Sequence, residues 1–321
     1  MESFTGRLAV VTGGGTGMGR ELVLQLAAEG CSVAACDVNI ETVTETAQRA
    51  QKAGPEGIKV TAHQCDVSKE ADMLRFRDEV LAQHETDHIN LLFNNAGIAG
   101  GGSFITTKRE EWERCFGVCW GGVYNGARAF VPLLVASTEG CIVNTSSVNG
   151  FWASLGPGIP HTAYSSAKFA VKGFTEALME DFRVNAPHVT AAVVMPGHIG
   201  TDIVMNTRLV QTGTGPEGMT AEELDEMRTQ MAQRGFPTEN ITDDQLKQFM
   251  TMMSEQFRNN APLSAADAAT IILDGVRRGE WRILVGEDAH LLDKAVRSDP
   301  HAAYGPNGFT LATISEVVTD Y

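Results

Sequence analysis

A tyrosine and a lysine, Tyr164 and Lys168, lie four residues apart in the segment from His161 to Phe174. Alanine, phenylalanine and valine recur there at helical spacing, which predicts a helix, and residues four apart on a helix share one face. A cation beside a phenol favours the phenolate, so the pair can transfer a proton near neutral pH. Lowering a tyrosine pKa by about three units takes roughly 4 kcal/mol, more than one partly exposed lysine supplies, and a second positive charge is therefore needed.

A glycine-rich turn near the N-terminus indicates where that charge is held. A short apolar strand ends at Thr12, and Gly13-Gly-Gly-Thr-Gly-Met-Gly19 and a helical pattern follow it. Such a turn lets backbone N–H groups approach a pyrophosphate, and the helix N-terminus behind it contributes about half a positive charge. A second apolar strand ends at Asp37, about twenty residues beyond the glycines, where a carboxylate can accept hydrogen bonds from an adenosine ribose.

The surroundings of Asp37 favour NAD over NADP. A carboxylate at this point repels the 2′-phosphate of NADP. Its sequence neighbours Val38 and Asn39 are not basic, and neither is Thr16, which precedes Gly17 in the turn. An alternative interpretation is that Asp37 only caps a loop.

Strand and helix patterns alternate along most of the chain. Further apolar segments predict strands at residues 59–65, 89–93, 141–145, 189–194 and 280–285. The alternation predicts a Rossmann-like α/β fold with a doubly wound parallel sheet of about seven strands, in a single domain over residues 1–321. The ligand of such a sheet lies off the carboxyl ends of the strands. Those ends are followed here by the glycine turn, Asp37, Asp66, Asn94, Ser147 and Pro196-Gly197.

The composition restricts the class of protein. The chain has 321 residues, of which 43% are hydrophobic, so it is not disordered. A formal net charge of -15 opposes binding to nucleic acid or an anionic membrane. No apolar run reaches the roughly 18 residues of a membrane span and no signal peptide is recognisable, so we expect a soluble, cytoplasmic protein. The six cysteines form no Cys-x-x-Cys pair and are expected to be reduced core thiols, with no metal site.

Taken in order, the motifs resemble those of the classical short-chain dehydrogenase/reductase family. They are Thr12-Gly-Gly-Gly-Thr-Gly-Met-Gly19, Asp66-Val67, Asn94-Asn-Ala-Gly97, Ser146-Ser147, Tyr164-Ser-Ser-Ala-Lys168 and Pro196-Gly-His-Ile-Gly-Thr201. The resemblance implies that Tyr164 is the general acid/base, that Lys168 binds the nicotinamide ribose and lowers the pKa of Tyr164, and that Ser147 hydrogen-bonds the substrate oxygen. Oxidised nicotinamide then supplies the second positive charge that the tyrosine and lysine require.

The same resemblance implies the set of residues that bind NAD. The glycines shape the pyrophosphate turn, Asp66 meets the adenine, and Ile199 and Thr201 contact the nicotinamide amide. The full set is Gly13, Gly15, Thr16, Gly17, Met18, Gly19, Asp37, Asp66, Val67, Asn94, Ala96, Gly97, Tyr164, Lys168, Pro196, Gly197, Ile199 and Thr201.

One residue departs from the family pattern. The family has an asparagine in a Val-Asn-x-x-Gly context on the helix before the serine-bearing strand, and this chain has Cys119 between Val118 and Trp120. A thiol cannot replace both groups of an amide, and the family's asparagine helps to hold a water in the relay from the lysine. We hypothesise that the backbone carbonyl of Cys119 keeps this water, so that activity is slowed at most. The alternative is a core-facing thiol one turn from Cys115.

The stretch after Ser147, residues 149–161, is several residues longer than is common in the family. Its aromatic residues follow the serine directly and predict walls for a bulky apolar substrate, although they can instead pack against neighbouring loops. His161 is interpreted as a helix-start residue rather than an extra acid/base. The predicted pocket residues are Asn149, Phe151, Trp152 and, from the region that follows Thr201, Met205.

Between residues 202 and 260 the alternation of strands and helices stops. Capping boxes at Thr220-Ala-Glu-Glu223 and Thr242-Asp-Asp-Gln245 predict two amphipathic helices, and seven of the twelve methionines lie in this region. Because the family has its substrate lid here and methionine faces adapt to varied apolar shapes, we interpret residues 202–260 as a helical lid insertion. These faces can alternatively cover the core or a subunit contact.

The C-terminal region and the quaternary structure are predicted next. Residues 286–321 are interpreted as a turn-rich tail. The small and apolar residues Ala167, Val171, Phe174 and Leu178 on the 161–183 helix suit the helix-to-helix contacts of the family, so we expect a homodimer or homotetramer.

The sequence therefore predicts an NAD-dependent oxidoreductase that interconverts a bulky hydrophobic secondary alcohol, of the steroid, terpenoid or aryl class, and its ketone. One alternative is an NAD-binding family member with weak or lost catalysis that acts as a sensor or scaffold, which only Cys119 favours. Another is a redox-neutral epimerase on the same scaffold. Tyr164, Lys168 and Ser147 are intact, which opposes the sensor.

Overall fold

Seven apolar strands form one parallel sheet in the computed structural model, which describes residues 1–233, 237–238 and 241–310. The strands of the described residues, including two short ones outside this sheet, are β1 Leu8–Thr12, β2 Ser32–Asp37, β3 Val60–Gln64, β4 Leu91–Asn94, β5 Gly140–Thr145, β6 Val189–Pro196, β7 Ile199–Gly200, β8 Leu263–Ser264 and β9 Arg282–Val285. The sheet has the order β3-β2-β1-β4-β5-β6-β9, and β7 pairs with β8 apart from it. The predicted Rossmann-like fold is confirmed, including β9 as the seventh strand.

Helices cover both faces of the sheet. They are α1 Gly17–Ala28, α2 Ile40–Ala53, α3 Glu70–His84, α4 Arg109–Phe116, α5 Gly122–Val135, α6 Thr162–Asn185, α7 Ile203–Thr212, α8 Ala221–Gln233, α9 Asp243–Asn259, α10 Ala265–Arg277 and α11 Glu287–Ser298. Neighbouring residues of β1 face opposite sides: Val11 packs with α1 and α10, and Val10 packs with α3 and α5. This double burial explains why the central strands β1, β4, β5 and β6 are mostly apolar on both faces. Within the described ranges, no helix is long and apolar enough to cross a membrane.

The helical segment before β5 is interrupted by a π turn. A π-helical turn, Gly117–Gly121, joins α4 to α5 without a break in the chain direction. A π turn inserts one residue into the helix and disturbs the regular bonding of its carbonyls, and such turns are frequent at functional sites. Cys119 lies at its centre.

Between β7 and β8 the described residues form three α-helices, α7 in addition to the two predicted. Both capping boxes are present, since Thr220 and Glu223 exchange hydrogen bonds and so do Thr242 and Gln245. The buried anchors of the two predicted helices are leucines, Leu224 and Leu246, at 3% and 0% exposure. The methionines are less buried than expected, and Met252 and Met253 are exposed. Residues 234–236 and 239–240 of the predicted lid lie outside the described residues.

The predicted tail begins as a helix. Residues 287–298 form α11, whose buried face carries Ala289 and Leu292. Residues 299–310 then pack on the same subunit's loop after β5, where the Trp152 indole N–H donates to the Ala303 carbonyl (3.0 Å) and the Tyr304 hydroxyl accepts from the Ala153 N–H (3.0 Å). A third apolar cluster forms there around Trp152 and Phe309. Residues 311–321 of the predicted tail lie outside the described residues.

Two residues expected at a subunit contact lie inside the subunit instead. Ala167 and Val171 have no exposed surface, because α6 turns this stripe towards the sheet. Phe174 and Leu178 are partly buried, and the apolar side chains that α5 and α6 leave exposed include Tyr124 and Phe169. The prediction that α6 contacts another subunit through four residues was therefore wrong for two of them, Ala167 and Val171.

Replacing Trp152 with alanine tests the clamp between the tail and the loop after β5. We expect the free energy of unfolding to fall by about 3–5 kcal/mol, since the change removes a fully buried indole and its hydrogen bond. Urea denaturation followed by circular dichroism measures the loss. Trp281→Ala, at a 42% exposed tryptophan, is the control and should stay within about 1 kcal/mol of wild type. If the free energy of unfolding fell equally in Trp152→Ala and Trp281→Ala, the contact between the tail and the loop after β5 would not stabilise the fold.

Candidate functional site

The glycine turn between β1 and α1 is closely packed and needs glycine at several positions. Gly13 and Gly17 have φ of 66° and 53°, a region that disfavours side chains. A Cβ on Gly19 would lie 2.0 Å from the Gly13 carbonyl oxygen, and one on Gly13 would lie 2.8 Å from Ala96 Cα. The turn therefore leaves backbone exposed at the carboxyl end of the sheet, as a pyrophosphate cradle requires.

Asp37 is bonded directly to this turn. Its carboxylate accepts hydrogen bonds from the Gly15 and Asn39 N–H groups, both at 3.0 Å. A Cβ on Gly15 would lie 2.8 Å from Asp37 Oδ2, so glycine is what allows the contact. Burial raises the pKa of Asp37, and the two backbone hydrogen bonds oppose that rise. The carboxylate is thus fixed at the edge of the cleft.

The structure corrects one sequence-based argument about Asp37. A basic side chain, Arg20, lies near it in space and draws its pKa downward, although the two are seventeen positions apart. The Arg20 Nε donates to the Gly15 carbonyl (2.9 Å), and one terminal nitrogen lies 3.5 Å from the Glu45 carboxylate. The cation is therefore already paired inside the protein.

Asp66 occupies the next strand end and has a partner that the sequence did not indicate. Arg114, from α4, bonds to its carboxylate at 3.0 Å. Burial would raise the pKa of Asp66, but hydrogen bonds from Ser68 and the Arg114 charge outweigh it and lower the pKa. Both residues line the same cleft as Asp37.

That cleft has a volume of about 610 Å³ and runs along the carboxyl ends of the strands. Eleven of the predicted cofactor residues line it: Gly13, Thr16, Gly17, Met18, Gly19, Asp37, Asp66, Val67, Ala96, Gly97 and Thr201. Glycines without room for a Cβ, a fixed carboxylate and a helix N-terminus are the groups that a dinucleotide needs. The residues present therefore fit a nicotinamide dinucleotide.

Other predicted cofactor residues are placed behind the cleft wall. Asn94 is 2% exposed and its amide donates to Asn144 Oδ1 (2.9 Å) across β4 and β5. Ile199 is 4% exposed in the core, and Pro196 ends β6. Gly197 faces Asp288, whose carboxylate accepts from the His198 N–H (2.7 Å). Asp288 fixes the loop that leads to Thr201, and no motif in the sequence pointed to it.

The three predicted catalytic side chains meet at the carboxyl end of β5. Lys168 Nζ lies 5.3 Å from the centre of the Tyr164 ring. It donates to the Thr145 carbonyl (2.9 Å), and the lysine is 2% exposed. Ser147 lies close enough to Tyr164 to lower its pKa, and its hydroxyl accepts from the Asn149 N–H (3.1 Å).

Tyr164 is held in its neutral form by its surroundings. Burial raises the pKa of Tyr164, and the nearby Cys119 and Cys115 raise it further, while the hydrogen bond with Ser147 lowers it. This rise in the pKa of Tyr164 agrees with the sequence argument that Lys168 alone does not supply enough positive charge to form a phenolate.

Cys119 lies beside Lys168. A Cβ on Gly97 would come within 3.8 Å of Cys119 Sγ and 3.6 Å of Lys168 Nζ, so sulfur and ammonium lie behind the same glycine. When protonated, the Cys119 thiol donates to the Ile98 carbonyl (3.1 Å). The Cys115 hydrogen bond and the Lys168 charge lower the pKa of Cys119 to about 6, despite its burial.

His161 is also part of this group. Its ring stacks on the Tyr164 ring with 4.8 Å between centres and 22° between planes. Burial lowers the pKa of His161 to about 4, so the imidazole is neutral at physiological pH. His161 is the residue before the first helical residue of α6, where the sequence predicted a helix start.

The predicted substrate wall is only partly at the surface. Trp152 has no exposed area and packs against the tail, so it does not line an open pocket. Asn149 is also buried, and its amide donates to the Trp152 and Ser154 carbonyls (2.9 and 2.7 Å), which folds the loop. Phe151 packs against the same cluster, with its ring centre 5.6 Å from the Arg282 guanidinium. Met205 lies on α7 and is half-buried.

Helix α7, which lies in the predicted lid region 202–260 but was not itself predicted as a helix, covers the cleft. Ile203, Asn206, Leu209 and Val210 line the cleft opposite the glycine turn. The Asn206 amide donates to the Thr16 hydroxyl (2.9 Å), a contact between residues 190 positions apart.

Comparison with known proteins agrees with this arrangement. The family described as short chain dehydrogenase matches residues 7–211. SadH of Mycobacterium tuberculosis, named as an oxidoreductase, is 33% identical over 297 residues, 92% of each chain. Human epidermal retinol dehydrogenase 2 is 32% identical over 202 residues, 62% of each chain. A Burkholderia phymatum short chain dehydrogenase/reductase crystallised with NAD superposes with a TM-score of 0.74 at 25% identity, over 95% of this chain and 98% of that one. The chain belongs to the short-chain dehydrogenase/reductase family of oxidoreductases.

Proposed function

We propose that the protein is an NAD-dependent oxidoreductase that interconverts a bulky hydrophobic secondary alcohol and its ketone. The observation that carries the proposal is the meeting of Ser147, Tyr164 and Lys168 at the end of β5, beside a cleft suited to a dinucleotide. Bound NAD supplies the hydride acceptor and, in its oxidised form, a positive charge near Tyr164.

The protein's own residues handle the proton. Ser147 holds the alcohol oxygen by a hydrogen bond, and Tyr164 takes the hydroxyl proton as the carbon is oxidised. Lys168 stabilises the phenolate through its charge and is held in place by the Thr145 carbonyl. In the reverse direction Tyr164 returns its proton to the ketone oxygen, and Ser147 stabilises the negative charge that develops there.

Asp37 supports a preference for NAD. Its carboxylate is fixed at the cleft edge by Gly15 and Asn39 and is available to ribose hydroxyls. Arg20 does not oppose this assignment, because its guanidinium is bonded to the Gly15 carbonyl and to Glu45.

Apolar side chains near the first turn of α6 support a hydrophobic substrate. Loop residues 101–102 accept hydrogen bonds from the Thr162 and Ala163 N–H groups, next to Tyr164. The same loop continues to Phe104 and Ile105, which are 75% and 92% exposed. The relative named retinol dehydrogenase agrees with an apolar alcohol, and helices α7 to α9 provide the lid over it.

Homodimer or homotetramer formation remains part of the proposal. The exposed side chains of Tyr124 on α5 and Phe169 on α6 lie on the outer faces of helices that pack together. They give these helices an apolar outer surface of the kind that subunit contacts bury.

Tyr164→Phe tests the acid/base role. We expect kcat/KM for NADH-dependent reduction of a ketone panel to fall roughly 100- to 10,000-fold, because the phenylalanine has no proton to give. NADH binding, measured by fluorescence titration, should persist. Tyr124→Phe changes an exposed tyrosine and should leave the rate unchanged. Unchanged NADH consumption in Tyr164→Phe would rule out Tyr164 as the acid/base, whereas a wild-type protein that binds NADH but reduces no ketone would favour the sensor or the epimerase.

Asp37→Ala tests the cofactor preference. We expect the ratio of kcat/KM with NADH to that with NADPH to fall by about tenfold or more, the effect of losing one charged hydrogen-bond partner and one repulsive charge. Asp78→Ala, on the exposed face of α3, is the control. An unchanged ratio would remove the assignment of Asp37.

Cys119→Asn tests the charge beside Lys168. For alcohol oxidation, kcat/KM rises with pH as Tyr164 loses its proton, and a thiolate at Cys119 raises the pKa of Tyr164. Removing this thiolate in Cys119→Asn should therefore shift the rising limb of the plot of kcat/KM against pH to lower pH. Cys141→Ala, in β5 away from the lysine, should leave the profile in place. If the rising limb of the pH profile lies at the same pH in Cys119→Asn as in wild type, Cys119 carries no charge that acts on Tyr164. A hundredfold rise in turnover would favour the weak-catalysis alternative.

A further inference from the structure

Helix α7 bridges the cofactor cleft between two walls. On one side the Ala99 N–H, in the loop after β4, donates to the Thr207 hydroxyl (2.8 Å). On the other side the Asn206 amide donates to the Thr16 hydroxyl in the glycine turn (2.9 Å). Asn206 and Thr207 are consecutive residues of α7, so these two bonds fix the helix to both walls of the cleft.

The helix is also held from outside. Arg208 bonds to both carboxylate oxygens of Glu223 on α8 (2.9 and 3.4 Å), and Asp202 pairs with Arg258 on α9 (2.7 Å). These contacts orient the face of α7 that carries Asn206, so the amide reaches Thr16 from a supported helix rather than from a loose loop.

The bond to Asn206 determines what the Thr16 hydroxyl can do. Thr16 precedes α1 with extended backbone, and its side chain makes no capping hydrogen bond to that helix. Its oxygen accepts from Asn206, and no group in the described ranges accepts its proton. A hydroxyl oxygen that accepts a hydrogen bond becomes a better donor, and Thr16 lines the cleft, so its proton is available to a group bound there. An anionic oxygen is the acceptor that suits this arrangement.

We propose that Asn206 is a positioning residue for the cofactor pyrophosphate, acting through Thr16. The amide holds the Thr16 hydroxyl as a donor to a phosphate oxygen, and the same bond keeps α7 closed over the bound dinucleotide. Release of the cofactor then requires the bond between Asn206 and Thr16 to open. This inference rests on the proposed binding of a nicotinamide dinucleotide.

The test compares Asn206→Ala, Thr16→Val and the double variant. NADH affinity and release are measured by fluorescence titration and stopped-flow displacement. ADP-ribose, which contains the pyrophosphate but no nicotinamide, is the second ligand. We expect each single variant to raise the Kd of both ligands about tenfold, mainly through faster release, because one hydrogen bond to a charged group is weakened. The double variant should resemble either single variant, since the two residues act as one unit.

Controls separate this role from general stability. Thr16→Ser keeps the hydroxyl and should bind NADH like wild type, whereas Thr16→Val keeps the side-chain volume without the donor. Asn185→Ala removes a surface amide bonded to Asp181 and should have no effect on binding. The melting temperatures of all variants should match that of wild type.

Three outcomes would overturn the inference: an unchanged Kd in Asn206→Ala, independent effects that multiply in the double variant, or a loss seen with NADH but not with ADP-ribose. A wild-type protein that binds neither NADH nor NADPH would instead overturn the proposed function itself.

Discussion

The site depends on an ammonium group that the fold keeps away from water. Lys168 is 2% exposed, and a buried charge is costly unless polar partners replace its hydration. The Thr145 carbonyl at the end of β5 provides one such partner, and the Tyr164 ring and Cys119 lie close by. The Ser146 hydroxyl in turn donates to the Lys168 carbonyl (2.7 Å), which ties α6 to the same strand end. The geometry around the lysine thus fixes how the strand, the helix and the serine approach each other.

Motifs whose residues are neighbours in sequence were predictable, and contacts between distant residues were not. The glycine turn, the carboxylates at strand ends and the helical spacing of Tyr164 and Lys168 follow from local patterns, and the fold follows from the alternation of strands and helices. Arg20 and Arg114 act on Asp37 and Asp66 from other elements, and no local pattern marks them. Predicting which face of a helix packs inside the subunit and which forms a subunit contact was weaker still, because the alanine and valine stripe of α6 suits a core as well as an interface.

The aromatic residues after Ser147 illustrate a further reason for error. An indole in the loop after Ser147 has two ways to bury its surface, against a bound molecule or against the protein. Trp152 takes the second, because residues 299–310 return to the loop and give its N–H an acceptor at Ala303. That return depends on α11 and on chain far from the serine, and turn-rich composition does not reveal where such a segment packs.

The contact between Trp152 and Ala303 also orders events during synthesis. The glycine turn, the strand of Ser147 and the helix of Tyr164 all leave the ribosome before residues 299–310, which complete the burial of the serine loop. Until those residues emerge, the loop beside Ser147 has an exposed indole in the nascent chain. The corner of the fold that carries Ser147 is therefore completed only at the end of synthesis, when the distal segment has emerged.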